Sequence, residues 1–289
     1  MPSHSSPVDG FSLAYDRSGS GPPVVLLHGW PGGRSDYRLV TPLLADVADV
    51  VVPDLRGFGE SDRHPVAPDE GYTGDAQARS VMALIDELGL GPVVLAGYDI
   101  GSRIAQVVAR QFPERVRALV VTPPLPGAGQ RLLDPAVLAE FWYQNFHRTA
   151  LPERLLDGDR DAVRGYLAHF WTHWSGPSYT PADADLDRLA DSYGRPGAFA
   201  ASIGWYRQGP GILARGLAEQ APAPAERLAV RTHALWPAHD PLFPAAWSDR
   251  LDEFFADVAL TRLPDSGHFV PLEAPDAFAT AVRAALGEG

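Results

Sequence analysis

The sequence predicts an α/β protein: a mostly parallel, twisted sheet flanked by helices and interrupted by a helical insertion. Three observations predict it. Short apolar runs ending in turn residues alternate with stretches of helical period, the alternation stops after Val121 and resumes past Pro222, and the turn Gly97-Tyr98-Asp99-Ile100-Gly101 joins one apolar run to a helix. Continuous apolar runs of this kind read as parallel strands covered on both faces. Their alternation with helices implies right-handed crossovers, and an open sheet so built carries its chemistry in loops at the carboxyl ends of its strands.

In chain order, Val24-Val25-Leu26-Leu27 leads into His28-Gly29-Trp30-Pro31, and Val50-Val51-Val52 into Pro53-Asp54. Ala78, Val81, Met82, Ile85 and Leu88 then recur at helical spacing. Val93-Val94-Leu95-Ala96 runs into Gly97, with Ile104, Val107 and Val108 marking the helix beyond, and Leu119-Val120-Val121 runs into Thr122-Pro123. From 124 to 217 the chain is rich in Trp, Tyr, Phe and His, with helical stretches such as Asp161 to Trp171 and no clear strand. This segment is expected to be an inserted helical cap domain, with 1–123 and 218–289 forming the sheet domain. Thr232 to Trp236 and Val258 to Leu263 restore the strand pattern, and a last helix is expected from about Pro275. The first few residues are expected to be disordered.

Composition narrows the function. The 289 residues carry a net charge of −12, with 45% hydrophobic and 21% charged residues, and every basic residue is arginine. A chain this acidic repels phosphate backbones and anionic lipid, which argues against nucleic-acid and membrane-surface partners. With no cysteine there is no disulfide, thiol nucleophile or cysteine-bound metal. Met1 to Gly10 lacks a secretory pattern, and no apolar run reaches the roughly 20 residues of a membrane span, so a cytoplasmic location is the default expectation. The sequence offers no site for a metal or organic cofactor, and none is expected.

The Gly97-x-Asp99-x-Gly101 turn follows a buried strand and precedes a helix, the context of a nucleophile elbow. Small neighbours let strand and helix approach closely around a strained residue. Serine is the usual occupant. Aspartate changes the chemistry, because a carboxylate with an ordinary pKa near 3.9 is ionised at neutral pH without a base. It attacks saturated carbon and forms an alkyl ester, so esterase or protease activity is disfavoured. His268, in Ser-Gly-His-Phe-Val-Pro after the Val258–Leu263 run, lies where a base should follow nucleophile and acid in chain order. Asp240 follows the Thr232–Trp236 run and is the candidate acid; its bland alternative is a cap for the helix near Pro244. Backbone N–H groups of Trp30 and Ile100 are the candidate oxyanion hole. His28 reads as a structural hydrogen-bonding residue, and Asp54 to Asp62 as a loop bracing the site.

At these residues the chain resembles the α/β-hydrolase superfamily, and within it the epoxide hydrolase and dehalogenase branch with an aspartate nucleophile. The resemblance runs from His28-Gly29-Trp30-Pro31 through Asp99 and Asp240 to His268. It implies a lid over the sheet bearing two donors to an epoxide oxygen. Trp205-Tyr206-Arg207 resembles the segment with one donor and Phe141-Trp142-Tyr143-Gln144 the other, which points to Tyr206 and Tyr143. Trp142 and His169 are substitutes for the first donor and, with Trp205, candidate substrate-binding residues; His147 and His173 read as cap structure. The implied activity is opening of a hydrophobic epoxide, the small-molecule partner, to a vicinal diol, with homodimerisation left open.

The alternatives fit less closely. Haloalkane dehalogenases generally carry a halide-binding Trp after the nucleophile, where this chain has Ile100. Fluoroacetate-type enzymes use Asp-Arg-Gly-x-Arg to grip a carboxylate, and this chain keeps only Arg103 of the two arginines. A ligand-binding protein on the same scaffold would need a damaged nucleophile, acid or base, and all three are intact.

Overall fold

The computed structural model describes residues 2–287. Eight strands form one sheet: β1 (Ser3–His4), β2 (Ala14–Gly19), β3 (Pro23–Leu27), β4 (Asp49–Pro53), β5 (Val93–Gly97), β6 (Val116–Val121), β7 (Thr232–Pro237) and β8 (Val258–Leu263). Their order is β1-β2-β4-β3-β5-β6-β7-β8. The pairs β1–β2 and β2–β4 are antiparallel and all others parallel. Most strands that sequence reading finds are buried, β4 and β5 at every residue, whereas β8, also found, is a largely exposed edge. Between β3 and β5 the strand order changes direction, which opens a crevice at their carboxyl ends. Register puts those ends side by side, with Leu27 opposite Gly97 and Gly97 opposite Val121.

The helices Gly74–Glu87 and Asp99–Gln111 pack on one another, and Pro275–Leu286 packs on β5, β6 and β7. The first starts at Thr73, whose side chain accepts the Ala76 N–H, and buries Ala78, Val81, Met82 and Ile85 along one face. The last stops at Gly287, whose φ of 87° ends the helical path.

One edge element differs from expectation. Ser3 and His4 form a strand paired with Tyr15 and Ala14 instead of a disordered start. The Ser5 hydroxyl accepts the Leu13 N–H, and Ser5 N–H donates to the Leu13 carbonyl, so backbone pairing holds a segment with no apolar signature.

Between β6 and β7 lie eight short helices, from Pro135–Glu140 to Gly211–Ala218, with no strand among the described residues. The expected boundary at 217 falls in the last turn of Gly211–Ala218. The longest, Arg160–His173, starts at Asp159, which accepts the N–H groups of Asp161 and Ala162. It buries Val163, Leu167, Phe170 and Trp171, the spacing of one helical face. No described helix is long and apolar enough to cross a membrane.

Candidate active site

Asp99 sits at the end of β5 with φ of 48°, a left-handed conformation that a non-glycine residue adopts only when its surroundings enforce it. Its neighbours supply the enforcement. A Cβ on Gly101 would fall 2.0 Å from the Leu27 carbonyl oxygen, and one on Gly97 would fall 2.6 Å from the Gly101 backbone carbon. The helix can therefore start against β3 only with glycine at both places. The Asp99 carboxylate is buried, and its Oδ2 accepts the Trp30 N–H at 2.8 Å. Burial pushes this carboxyl above the ordinary range, opposed by His268 and by the N–H groups of Trp30 and Ile100. These same two N–H groups were the expected oxyanion donors, and both bear on the Asp99 carboxylate.

His268 presents Nε2 3.8 Å from Asp99 Oδ1, while its Nδ1 pairs with Asp240 Oδ2 at 2.9 Å. Both His268 and Asp240 side chains are 1% exposed. Burial lowers the imidazole pKa, but Asp240 and Asp99 outweigh it and the net shift is upward. Asp240 also caps its own turn, since Oδ1 accepts the Leu242 N–H at 2.9 Å. The capping alternative and the acid role thus use different oxygens of one carboxylate. His268 N–H donates to the Trp174 carbonyl of the insertion. The Glu273 carboxylate accepts N–H groups from Gly176, Gly267 and Phe269, tying the same two segments together.

A cavity of about 540 Å³ separates Asp99 from the insertion. Tyr143 and Tyr206 line it on the insertion side, and Ile100, Trp205, Leu242 and Phe243 supply apolar wall. The two phenol rings stand 5.5 Å apart at 84°, and their hydroxyls interact with each other. The Trp30 ring holds both: it stacks on Tyr143 at 5.6 Å and meets Tyr206 edge-on at 5.5 Å. Gln144 Nε2 donates to the Tyr143 hydroxyl at 3.2 Å. Burial raises both phenols well above their usual pKa, and the Asp99 charge adds to the shift. They remain proton donors throughout the neutral range.

Two expected substrate-binding residues lie elsewhere. Trp142 is 44% exposed, stacked on Phe170 and packed against Phe146 and Tyr166, and is not among the cavity-lining residues. His169 is exposed, with its ring stacked on His173. On the Trp142–His147 helix, adjacent residues point about 100° apart, so Tyr143 faces the cavity and Trp142 cannot. Trp205 does line the cavity. His147 is buried against Trp30 and Tyr206, with Nε2 on the Tyr166 hydroxyl, and burial lowers its pKa to about 3. His28 bonds the Gly29 carbonyl through Nδ1 and accepts the Leu55 N–H at Nε2, a structural arrangement. Asp54 accepts from Arg34 and from the Glu60 N–H, bracing the loop below.

Sequence reading missed Asp36. It is 1% exposed, and its carboxylate accepts the Tyr98 hydroxyl at 2.5 Å and the Gly33 N–H at 2.9 Å. An aspartate in a glycine-rich loop reads as an ordinary turn residue, and only the fold brings it to Tyr98. Among the described residues no cluster of three His, Asp or Glu side chains could hold a metal.

Comparison with known proteins gives the family and the fold. The α/β hydrolase fold family matches residues 22–275. A soluble epoxide hydrolase from Corynebacterium sp. (strain C12) is 29% identical over 94% of this chain and 92% of its own. A fluoroacetate dehalogenase from Burkholderia sp. is 30% identical over 93% of this chain and 88% of its own. Among solved structures, one from a set of novel epoxide hydrolases found in metagenomes from hot environments superposes with a TM-score of 0.83 at 26% identity, covering 99% of this chain and 98% of that one.

Proposed function

The chain belongs to the α/β-hydrolase fold family, and from that premise we propose that it is an epoxide hydrolase in which residues 124–217 act as a cap and Asp99 is the covalent nucleophile. One observation carries the choice of substrate: two buried tyrosines line the cavity together with Asp99, and both keep their protons. An opening epoxide needs a donor for its oxygen as the carbon–oxygen bond breaks, and a phenol suits that role. Asp99 attacks one ring carbon, the ring oxygen takes a proton from the tyrosine pair, and a hydroxyalkyl ester forms. His268 removes a proton from water, which attacks the ester carbonyl while Asp240 supports the imidazolium. The Trp30 and Ile100 N–H groups hold the oxyanion, which collapses as the His268 imidazolium protonates the departing alkoxide. The vicinal diol leaves, and the proton left on the Asp99 carboxyl returns to the tyrosine phenolate, restoring carboxylate and phenol. The apolar wall supports a hydrophobic substrate.

Haloacid dehalogenation is the second reading, favoured by Arg103. This residue lines the cavity one helical turn from Asp99 and makes no salt bridge among the described residues. Against it, the position after the nucleophile is Ile100, which supplies no charge to a carboxylate clamp. The test is a panel of epoxides and haloacids with His268→Ala protein, read by intact mass. An epoxide adduct on Asp99 is expected. In parallel assays of wild-type protein, halide release from haloacids with no diol from any epoxide would overturn the proposal, and turnover of neither class would indicate a binding protein.

A further inference from the structure

Tyr98 immediately precedes the nucleophile, yet its side chain points away from the cavity and under the site. Its ring meets His268 edge-on at 6.2 Å and Tyr37 at 6.3 Å, and its hydroxyl ends on Asp36 Oδ2. The same Oδ2 accepts the Gly33 N–H, in the loop that carries Trp30. The two residues meet across Gly32, where an added Cβ would lie 2.0 Å from Asp36 Oδ2 and 2.3 Å from the Tyr98 oxygen. Tyr193 of the insertion brackets that glycine, accepting its N–H at 2.8 Å and donating to its carbonyl at 2.6 Å. One carboxylate oxygen thus joins the turn that holds Asp99 to the loop that supplies the Trp30 N–H.

We propose that Asp36 is a positioning residue, acting through Tyr98 and Gly33 to fix the spacing between the Asp99 carboxyl and the Trp30 N–H. The inference rests on Asp99 being the nucleophile and Trp30 an oxyanion donor, whichever electrophile is attacked. Its cost is a buried charge. Burial raises the Asp36 carboxyl to about 7, opposed by the Tyr98 hydroxyl, the Gly33 N–H and Arg38 and reinforced by Asp54. The titratable and charged groups packed around it are Tyr37 and Arg38 on its own segment, Asp54 after β4, Tyr98 and Asp99 after β5, Tyr193 from the insertion and His268 behind the Tyr98 ring. Of these, Arg38 is held by Asp185 at 2.6 Å and cannot fully neutralise Asp36. The ionised carboxylate is the better acceptor for a phenol, so the positioning contact strengthens as pH rises through about 7.

The sign for stability is opposite. A carboxyl whose folded pKa is raised destabilises the fold increasingly as pH climbs from its unfolded value towards about 7. Function and stability therefore respond to Asp36 in opposite directions, and this separates positioning from simple structural support.

The experiment uses the full chain and the epoxide or haloacid that wild-type protein turns over best. Asp36→Ala and Tyr98→Phe should each lower kcat about tenfold with little change in KM, and the double variant should be no slower than either, because both remove one contact. Asp36→Asn keeps an oxygen acceptor without the charge, as protonated Asp36 does, and should run between Asp36→Ala and wild type. It should also convert an acid limb of kcat steeper than one proton into a one-proton limb, as should Tyr98→Phe, while melting no lower than wild type above neutral pH. Multiplying losses in the double variant, or an acid limb in Asp36→Asn as steep as wild type, would overturn the proposal. A wild-type protein that turns over haloacids and not epoxides overturns the proposed function but leaves this test intact. One that attacks neither overturns both.

Discussion

Replacing Asp240 with Asn tests the two-step reading most sharply, because it should damage one step and spare the other. Asp240 Oδ2 lies 2.9 Å from His268 Nδ1, and both side chains are 1% exposed. When His268 takes a proton from water, the new imidazolium faces this carboxylate. At that distance and an effective dielectric near 20, the attraction is about 6 kcal/mol. A hydrogen bond to a charged group is worth about 1.5–3 kcal/mol, of which a neutral amide retains part. An intermediate loss of about 4 kcal/mol corresponds to about a thousandfold slower ester hydrolysis. Alkylation of Asp99 needs no base, so the burst of adduct formation should stay within a few-fold of wild type. Rapid mixing followed by intact mass measurement separates the steps: Asp240→Asn should accumulate protein heavier by one substrate. Hydrolysis within tenfold of wild type, or alkylation slowed as much as hydrolysis, would refute the assignment of Asp240 as the partner of a water-activating His268.

Other outcomes follow from the same geometry. Tyr206→Phe and Tyr143→Phe should each slow the alkylation step about a hundredfold in single-turnover assays, leaving hydrolysis of a preformed adduct unchanged. Because burial raises both phenols well above their usual pKa, wild-type alkylation should show no fall near pH 10, where an ordinary tyrosine begins to ionise. The acid limb of kcat should lie above the ordinary histidine value near 6.5, because Asp240 still raises His268 once Asp99 is an uncharged ester and the base acts only when deprotonated. The same shift makes the His268 contribution to stability fully present below the unfolded pKa and lost as pH rises through the folded one, which thermal melts against pH can follow. Trp142→Ala and His169→Ala should keep kcat/KM within about twofold, since neither side chain reaches the cavity. A tenfold loss in either would contradict their placement.

The core strands were legible because parallel strands covered on both faces leave unbroken apolar runs. β3, β5 and β6 are visible in the sequence for that reason. β1 was not, because an exposed two-residue edge strand buries too little to mark the sequence. Asp99 and Asp240 were legible because each follows a buried run, and His268 because it follows the Val258–Leu263 pattern even though that strand is an exposed edge, so locating the strand also locates the loop. Side chains in the insertion are different. Several short helices there turn through changing directions, and aromatic residues fill both cavity wall and interior. Composition alone could not separate Tyr143 from its neighbour Trp142, and helix phase decides between them. Asp36 was illegible for a further reason: its partner Tyr98 is 62 residues away, and neither position carries a pattern of its own.

The bonds between the His268 loop and the insertion have a consequence for grafting. The His268 N–H donates to the Trp174 carbonyl, and Glu273 accepts N–H groups from Gly176, Gly267 and Phe269. The insertion and the loop that carries His268 are therefore bonded to each other, although about ninety residues separate them in the chain. A chimaera that grafts another protein's insertion onto this scaffold must carry its own 264–273 equivalent with it. Without that companion loop, the graft would disturb histidine geometry even when every lining residue was chosen well. Substitutions on the flank away from this junction, beside Arg103 and Trp205 in the cavity wall, should alter ligand fit without disturbing the His268 loop.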